Sequence, residues 1–138
     1  MNRIRCLALL VIAAGALGCH KPKELRLISV PPPGKVGTLD DHAVRLSKGV
    51  ALGVECIDPE DSHTHSCGRL RARSSNASTA RSFAADTDQL VGTWVPGRRS
   101  QLTERRSVFV VTGLAAGRTQ IEIQTANSLE AIDVTVVE

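Results

Sequence analysis

Two cysteines and two histidines share one short stretch, Cys56-Ile57-Asp58-Pro59-Glu60-Asp61-Ser62-His63-Thr64-His65-Ser66-Cys67. In an oxidising compartment paired thiols form a disulfide, and a Cys56–Cys67 bridge would close the loop between them. The chain-entropy relation assigns about 3 kcal/mol to a loop of that size. A metal site is the rival, because tetrahedral zinc accepts sulfur and imidazole and His63 and His65 lie beside Asp58, Glu60 and Asp61. The spacing C-x6-H-x-H-x-C is not a standard zinc pattern, however, and a metal would need both thiols to escape oxidation. Two free thiols are the third alternative. The disulfide is the simplest of the three, and it leaves His63 and His65 as solvated loop residues that titrate near neutrality.

Arginine is the next group with chemistry to offer. Between Arg69 and Arg118 nine arginines face only Asp86, Asp88 and Glu104. Arg69, Arg71 and Arg73 fall at every second position and so share one face of a strand, with Leu70 and Ala72 on the other. Should the Arg98-Arg99 pair join that row, the surface could meet phosphate or carboxylate groups on a lipid headgroup, lipopolysaccharide or an acidic envelope protein. The plainer reading is a solvated face that keeps the protein soluble. Catalytic constellations are absent: no nucleophile elbow, HExxH or phosphate loop occurs. Of the four histidines, His20, His42, His63 and His65, two sit in one loop and one lies near the N-terminus, which is poor material for a preorganised triad. The expectation is a protein that is not an enzyme and needs no cofactor. A metal-dependent envelope enzyme is the weakest alternative.

Residues 1–18, MNRIRCLALLVIAAGALG, start with Arg3 and Arg5, continue as an apolar run and end in small residues. That is the build of a secretory signal peptide, too short for a comfortable membrane span of about 20 residues. Ala16-Leu17-Gly18-Cys19 resembles a bacterial lipoprotein lipobox, with Ala16 where the commonest form has Leu. The resemblance implies cleavage before Cys19 and acylation of its thiol, and more than one acyl chain makes a stable anchor. With Cys6 removed and Cys19 acylated, Cys56 and Cys67 remain as a pair. The expected address is the bacterial cell envelope, lipid-anchored, on the periplasmic side or at the outer-membrane surface. The full chain carries 17 basic and 14 acidic residues, but Arg3 and Arg5 belong to the leader, so 15 against 14 leaves +1. That is not the footprint of a nucleic-acid binder. One Trp, two Phe and no Tyr also argue against stacking platforms for bases or sugars.

The elements that must position these residues are strands. Arg118, Gln120, Glu122 and Gln124 alternate with Ile121 and Ile123, and Ile132, Val134 and Val136 alternate with Asp133 and Thr135. Period-two patterning gives half-buried strands, which need a second layer to cover them. A third run, Val108 to Val111, precedes the turn at Gly113 to Gly117, where both glycines are expected to supply positive φ. Further strands are expected at Leu25 to Val30, Ala43 to Leu46, Val50 to Ile57, Gly68 to Ser75 and Thr79 to Ala84, the last with Phe83 in the core. Pro31-Pro32-Pro33-Gly34 breaks the first of them. Asn76-Ala77-Ser78 reads as a turn. Asp86 to Arg106, with Gly92, Pro96, Gly97 and four arginines, reads as a long excursion with at most one short strand around Leu90 to Val95.

This order is similar to the bacterial immunoglobulin-like group 2 domain. Arg73-Ser74-Ser75-Asn76, Thr112 to Gly117, then Thr119, Ile121 and Ile123, and finally Val134 and Val136 carry the likeness. The family commonly has Trp where this chain has Ala72. The resemblance implies an all-β, single immunoglobulin-like β-sandwich of about seven strands, used at cell surfaces for adhesion or spacing and without catalytic residues. The expected organisation is a signal peptide over 1–18, an acylated tether over 19–24 and the sandwich over 25–138. The function expected is a non-enzymatic envelope lipoprotein that binds, adheres or spaces. The alternative is a small subunit of a larger secretion or motility assembly.

Overall fold

The computed structural model of the chain describes residues 23–61, 65–85, 87–95 and 98–138, with the backbone alone for 87–95 and 98–105. Ten strands follow one another: β1 (Glu24–Leu27), β2 (Gly37–Asp40), β3 (Ala43–Ser47), β4 (Ala51–Ile57), β5 (Arg71–Ser74), β6 (Ala80–Ala84), β7 (Thr87–Val95), β8 (Arg98–Gly113), β9 (Gly117–Gln124) and β10 (Leu129–Val137). The alternating segments become strands as their patterning requires. In β9, Thr119, Ile121 and Ile123 are buried while Gln120, Glu122 and Gln124 are exposed.

The strands form two sheets packed as a sandwich. One has the order β1-β4-β8-β6, with β7 also pairing β8, and the other has the order β2-β3-β10-β9-β5. The set β1-β4-β8-β6 opposite β5-β9-β10 reproduces the A-B-E-D and C-F-G strand order of an immunoglobulin-like sandwich. The three prolines lie where the chain leaves β1 in the first sheet for β2 in the second. That crossing lets β3 pair with β10 in parallel, whereas every other ladder is antiparallel. The strand count exceeds the expected seven because a short β2–β3 hairpin and β7 add to the framework.

An aliphatic core lies between the sheets: Val44, Leu46, Leu52, Val54, Val111, Ile121, Ile132 and Val134 around Phe109 are all at most 1% exposed. Val50, Leu52, Val54 and Cys56 share the inner face of β4 and its approach, as their alternation requires. Fully burying each such side chain is worth about 1.5–3 kcal/mol. Phe83 does not belong to this core, contrary to expectation, and is 54% exposed. It pairs with Val110 on the outer face, whereas Ala84 opposes Phe109 and Ser82 opposes Val111. Directly opposed residues share a face, so the small residues of β6 point inward and its one aromatic points out.

Asp86 to Arg106 is not the irregular excursion expected. β7 pairs with the first half of β8 over nine positions, from Thr87↔Arg106 to Val95↔Arg98. This register continues that of β6, which runs from Ala80↔Gly113 to Ala84↔Phe109. β6 and β7 therefore line one long strand, β8. β4 stops pairing with β8 at Cys56↔Ser107. Beyond that point β7 and β8 form a two-stranded ribbon with no third strand among the described residues.

Glycine roles also differ at the β8–β9 turn. Gly117 has φ +151°, but Gly113 does not have positive φ. A Cβ on Gly113 would lie 3.0 Å from the Ser47 carbonyl oxygen and 3.0 Å from Val136 Cγ1, so close approach rather than handedness requires glycine there.

Candidate functional site

Strand directions gather the chemically distinctive residues at one end of the sandwich. β1 and β8 both pair antiparallel to β4, so the segments that precede them leave the same end. Cys56 closes β4 at this end, and Cys67 lies on the chain leading into β5 of the other sheet. The two sulfurs are joined, with Cα atoms 5.7 Å apart and both residues buried. Ser66, next to Cys67, bridges antiparallel to Ile57, next to Cys56, so the disulfide staples the end of β4 to the returning segment beside it, ahead of β5. Ser66 and Ser107 hydroxyls share a 2.7 Å hydrogen bond, and the Ser107 hydroxyl donates to the Gly68 carbonyl. His65 is exposed with φ 51°, and its amide donates to Asp61. His63 lies outside the described residues, as do Cys19 and His20. Among the described residues no three His, Cys, Asp or Glu side chains converge as a metal site requires.

Lys23 and Glu24, expected in a free tether, belong to the folded domain. Lys23 is 7% exposed, and its ammonium donates to Asp58 Oδ2 at 2.6 Å while its amide donates to Glu130 Oε1 at 3.2 Å. The hydrogen bond from Lys23 holds the Asp58 carboxyl below the usual carboxylate range, against the upward push of burial, and the Glu60 amide adds to the lowering. One residue thus ties the chain entering β1 to the disulfide loop and to β10. Next to it Glu55 is 6% exposed on the outer face of β4, accepting from Arg26 Nη2 at 2.6 Å with Arg106 Nε 3.5 Å away. Alternation alone puts Glu55 on that face. Its partners depend on the register of β1 and β8 against β4, which no local pattern displays.

The arginine row forms as the alternation requires: Arg69, Arg71 and Arg73 are exposed, Leu70 is buried and Ala72 half-buried. Arg69 and Arg71 line an open depression of about 370 Å³ with Gln124, Thr125 and Ala126. A neighbouring depression of about 380 Å³ is lined by Lys23, Asp58, Glu60, Asp61 and the Cys67 segment, so this end carries both signs of charge. Arg98 and Arg99 do not join the row along one strand. They begin β8 at the far end of the ribbon, opposite Val95 and Trp94, while the row is on β5 at the edge of the other sheet. Their side chains are outside the described residues.

At the opposite end the residues that carry the group 2 resemblance meet in space. Thr119 Oγ1 accepts from the Asn76 amide at 3.0 Å and shares hydrogen bonds with the Ser75 and Ser74 hydroxyls at 3.0 and 3.4 Å. Asn76 Oδ1 accepts from the Ser78 amide, its Nδ2 donates to Thr79 Oγ1, and the Leu114 and Ala115 amides donate to the Thr79 carbonyl. The Ser-Ser-Asn turn and the Gly-Leu-Ala-Ala-Gly turn are thus one hydrogen-bonded cluster. The Asn76 amide ties this cluster to β9 through Thr119, and the Leu114 and Ala115 amides tie it to the other turn through Thr79.

No protein-family model matches the chain, and no curated protein matches it. Among solved structures it is similar to domains 4 and 5 of the S-layer protein SbsC, at 19% identity and TM-score 0.47, over 85% of this chain and 54% of that one. It is also similar to domains 5–6 of SbsC, at 18% identity and TM-score 0.45, over 84% of this chain and 45% of that one. The chain thus spans about half the length of these structures. Likeness at this level does not extend to what either protein binds.

Proposed function

We propose that the chain is a non-enzymatic lipoprotein of the bacterial cell envelope, acylated at Cys19, whose immunoglobulin-like group 2 type sandwich serves as a binding, adhesion or spacing module. The observation that carries this reading is the placement of Lys23. Lys23, four residues after Cys19 in the sequence, is buried and fixed to both Asp58 and Glu130. A lipid on Cys19 would therefore hold this end of the sandwich close to a membrane, while Gly113 to Gly117 and the Ser-Ser-Asn turn lie at the other end. The ion pairs support the same reading, because Lys23–Asp58 and Arg26–Glu55 tie strands together. The test is growth of an expressing bacterium with radiolabelled palmitate. Label enters the wild-type chain and not a Cys19→Ala variant; an unlabelled wild-type chain rules the anchor out.

A second reading, as a subunit of a larger envelope assembly, draws on the open edges at β1, β6, β2 and β5 among the described residues. Each is able to accept a partner strand. Crosslinking in intact cells, followed by identification of a captured envelope protein, separates this reading from a free-standing module.

A further inference from the structure

The β7–β8 ribbon leaves the sandwich at the same end as the chain that leads back to Cys19. Glu24 pairs with Ile57, and one position earlier Cys56 pairs with Ser107, so Glu24 and Arg106 are level across the sheet. Cys19 precedes Glu24 by five residues. Fully extended, that segment reaches at most about 17 Å beyond this level. β8 is an unbroken strand, and Arg98 lies eight residues before Arg106. At about 3.3 Å per residue the ribbon runs about 26 Å beyond the same level. Its distal end thus overshoots the furthest reach of Cys19 by about 9 Å. A bilayer that lies across the strand direction and takes up an acyl group on Cys19 meets that end of the ribbon.

The acidic residues of the ribbon stop well short of its distal end. Its carboxylates, Asp88 and Glu104, lie in the part next to the sandwich, and no acidic residue occurs from Gln89 to Thr103. The distal positions pair Trp94 with Arg99 and Val95 with Arg98, and Trp94 is the only tryptophan of the chain. Tryptophan settles at membrane interfaces because its ring is apolar and its N–H is polar, and arginine is drawn to anionic headgroups. The rim of the sandwich at this end is less suited to such a surface, since Glu24, Asp58, Glu60, Asp61 and Glu130 lie there beside Lys23, Arg69 and Arg71. The ribbon carries the basic and apolar residues past that rim.

We infer that the distal ribbon, through Trp94, Val95, Arg98 and Arg99, docks into the headgroup region of the anionic bilayer in which Cys19 is anchored. The inference rests on the lipid-anchored reading above. It gives the module a second attachment and fixes its orientation, with the disulfide end toward the membrane.

The single tryptophan makes the test direct. The full-length acylated chain is reconstituted into phosphatidylglycerol vesicles containing brominated lipid, and Trp94 emission is recorded beside vesicle flotation and the mass of the Cys19 peptide. The expected result is an acylated chain that floats, with Trp94 emission shifted to the blue and quenched by bromine. The double variant Arg98→Gln and Arg99→Gln should float equally and keep its strand-rich circular dichroism. Each arginine near an anionic surface contributes about a fivefold preference, so the docked-to-free ratio of the tip falls about 25-fold and the quenching weakens as the docked fraction drops. A wild-type chain that is acylated and floats while Trp94 stays unquenched overturns the docking and leaves the anchor standing. Quenching unchanged in the double variant overturns the role of the arginines. A chain without acyl groups that fails to float overturns the anchored reading and this inference together.

Discussion

Replacing Cys56 and Cys67 together by alanine removes the covalent tie between β4 and the segment leading into β5, at the end where β1, β4 and β8 converge. The sequence separation is 11, so the bridge closes a loop of 12 residues counting both cysteines. Loop-closure entropy for that length is about 2.8 kcal/mol at room temperature. Both sulfurs are buried, Cys56 at 1% and Cys67 at 7%, so alanine also leaves small voids costing about 1 kcal/mol in all. The expected loss is about 4 kcal/mol, a large part of the stability of a domain this size. Urea denaturation followed by circular dichroism, on the oxidised wild type and the double variant, measures it. Most of the entropic part should also be lost when wild-type protein is reduced in place, since that leaves the packing volume intact. A double variant within 1 kcal/mol of wild type would refute the reasoning. It would mean that the Lys23–Asp58 pair and the serine hydrogen bonds hold this end without the bridge.

Four other outcomes follow from the same geometry. Thr119→Val removes the hydroxyl that serves Asn76, Ser75 and Ser74 and should cost about 1–3 kcal/mol in urea denaturation, while Gln120→Ala, on the exposed face, should cost under about 0.5 kcal/mol. Arg26→Ala leaves the 6% exposed Glu55 with Arg106 at 3.5 Å as its remaining ion-pair partner and should cost about 1–3 kcal/mol by the same assay. Gly113→Ala forces its new methyl against the Ser47 carbonyl and Val136, so it should lower stability by about 1–3 kcal/mol, and thermal melting will show the loss. Asp58 titrates below its ordinary value of 3.8 in the folded chain, so near that pH the unfolded chain binds more protons and stability rises with pH. The stabilisation from its pairing with Lys23 is fully present well above pH 3.8 and is lost as pH falls through the lowered folded value; Asp58→Asn should flatten this part of a stability–pH curve.

What could be read in the sequence was what a single strand reveals about itself. β9 and β10 show period two without interruption, and Arg69, Arg71 and Arg73 alternate with Leu70 and Ala72, so their faces follow from spacing alone. The ribbon has no such signature, because two strands that no second layer covers among the described residues need no apolar face. Gly92, the Pro96-Gly97 pair and the clustered arginines then look like breaks. The same Pro96-Gly97 pair, read as a two-residue connection between Leu90 to Val95 and the residues after it, was the available signal. Phe83 misled for a related reason: an aromatic in a short strand suggests a core, but the register against β8 turns it outward. Register also explains why the partners of Glu55 and the buried position of Lys23 were not visible. Each depends on which strands become neighbours across about 30 to 100 residues of chain, and alternation within one strand is blind to that. The Cys56–Cys67 pairing was legible from spacing and the expected compartment.

The central claim is that a thiol four residues ahead of the buried Lys23 carries lipid and holds the disulfide end of the sandwich at a membrane. It is tested most directly by the mass of the N-terminal peptide from chain recovered in the membrane fraction of an expressing bacterium. The account predicts a peptide that begins at Cys19 with diacylglycerol on sulfur and an acyl chain on nitrogen. A mature chain found in the soluble fraction, with Cys19 cleaved away or bearing an unmodified thiol, would contradict it.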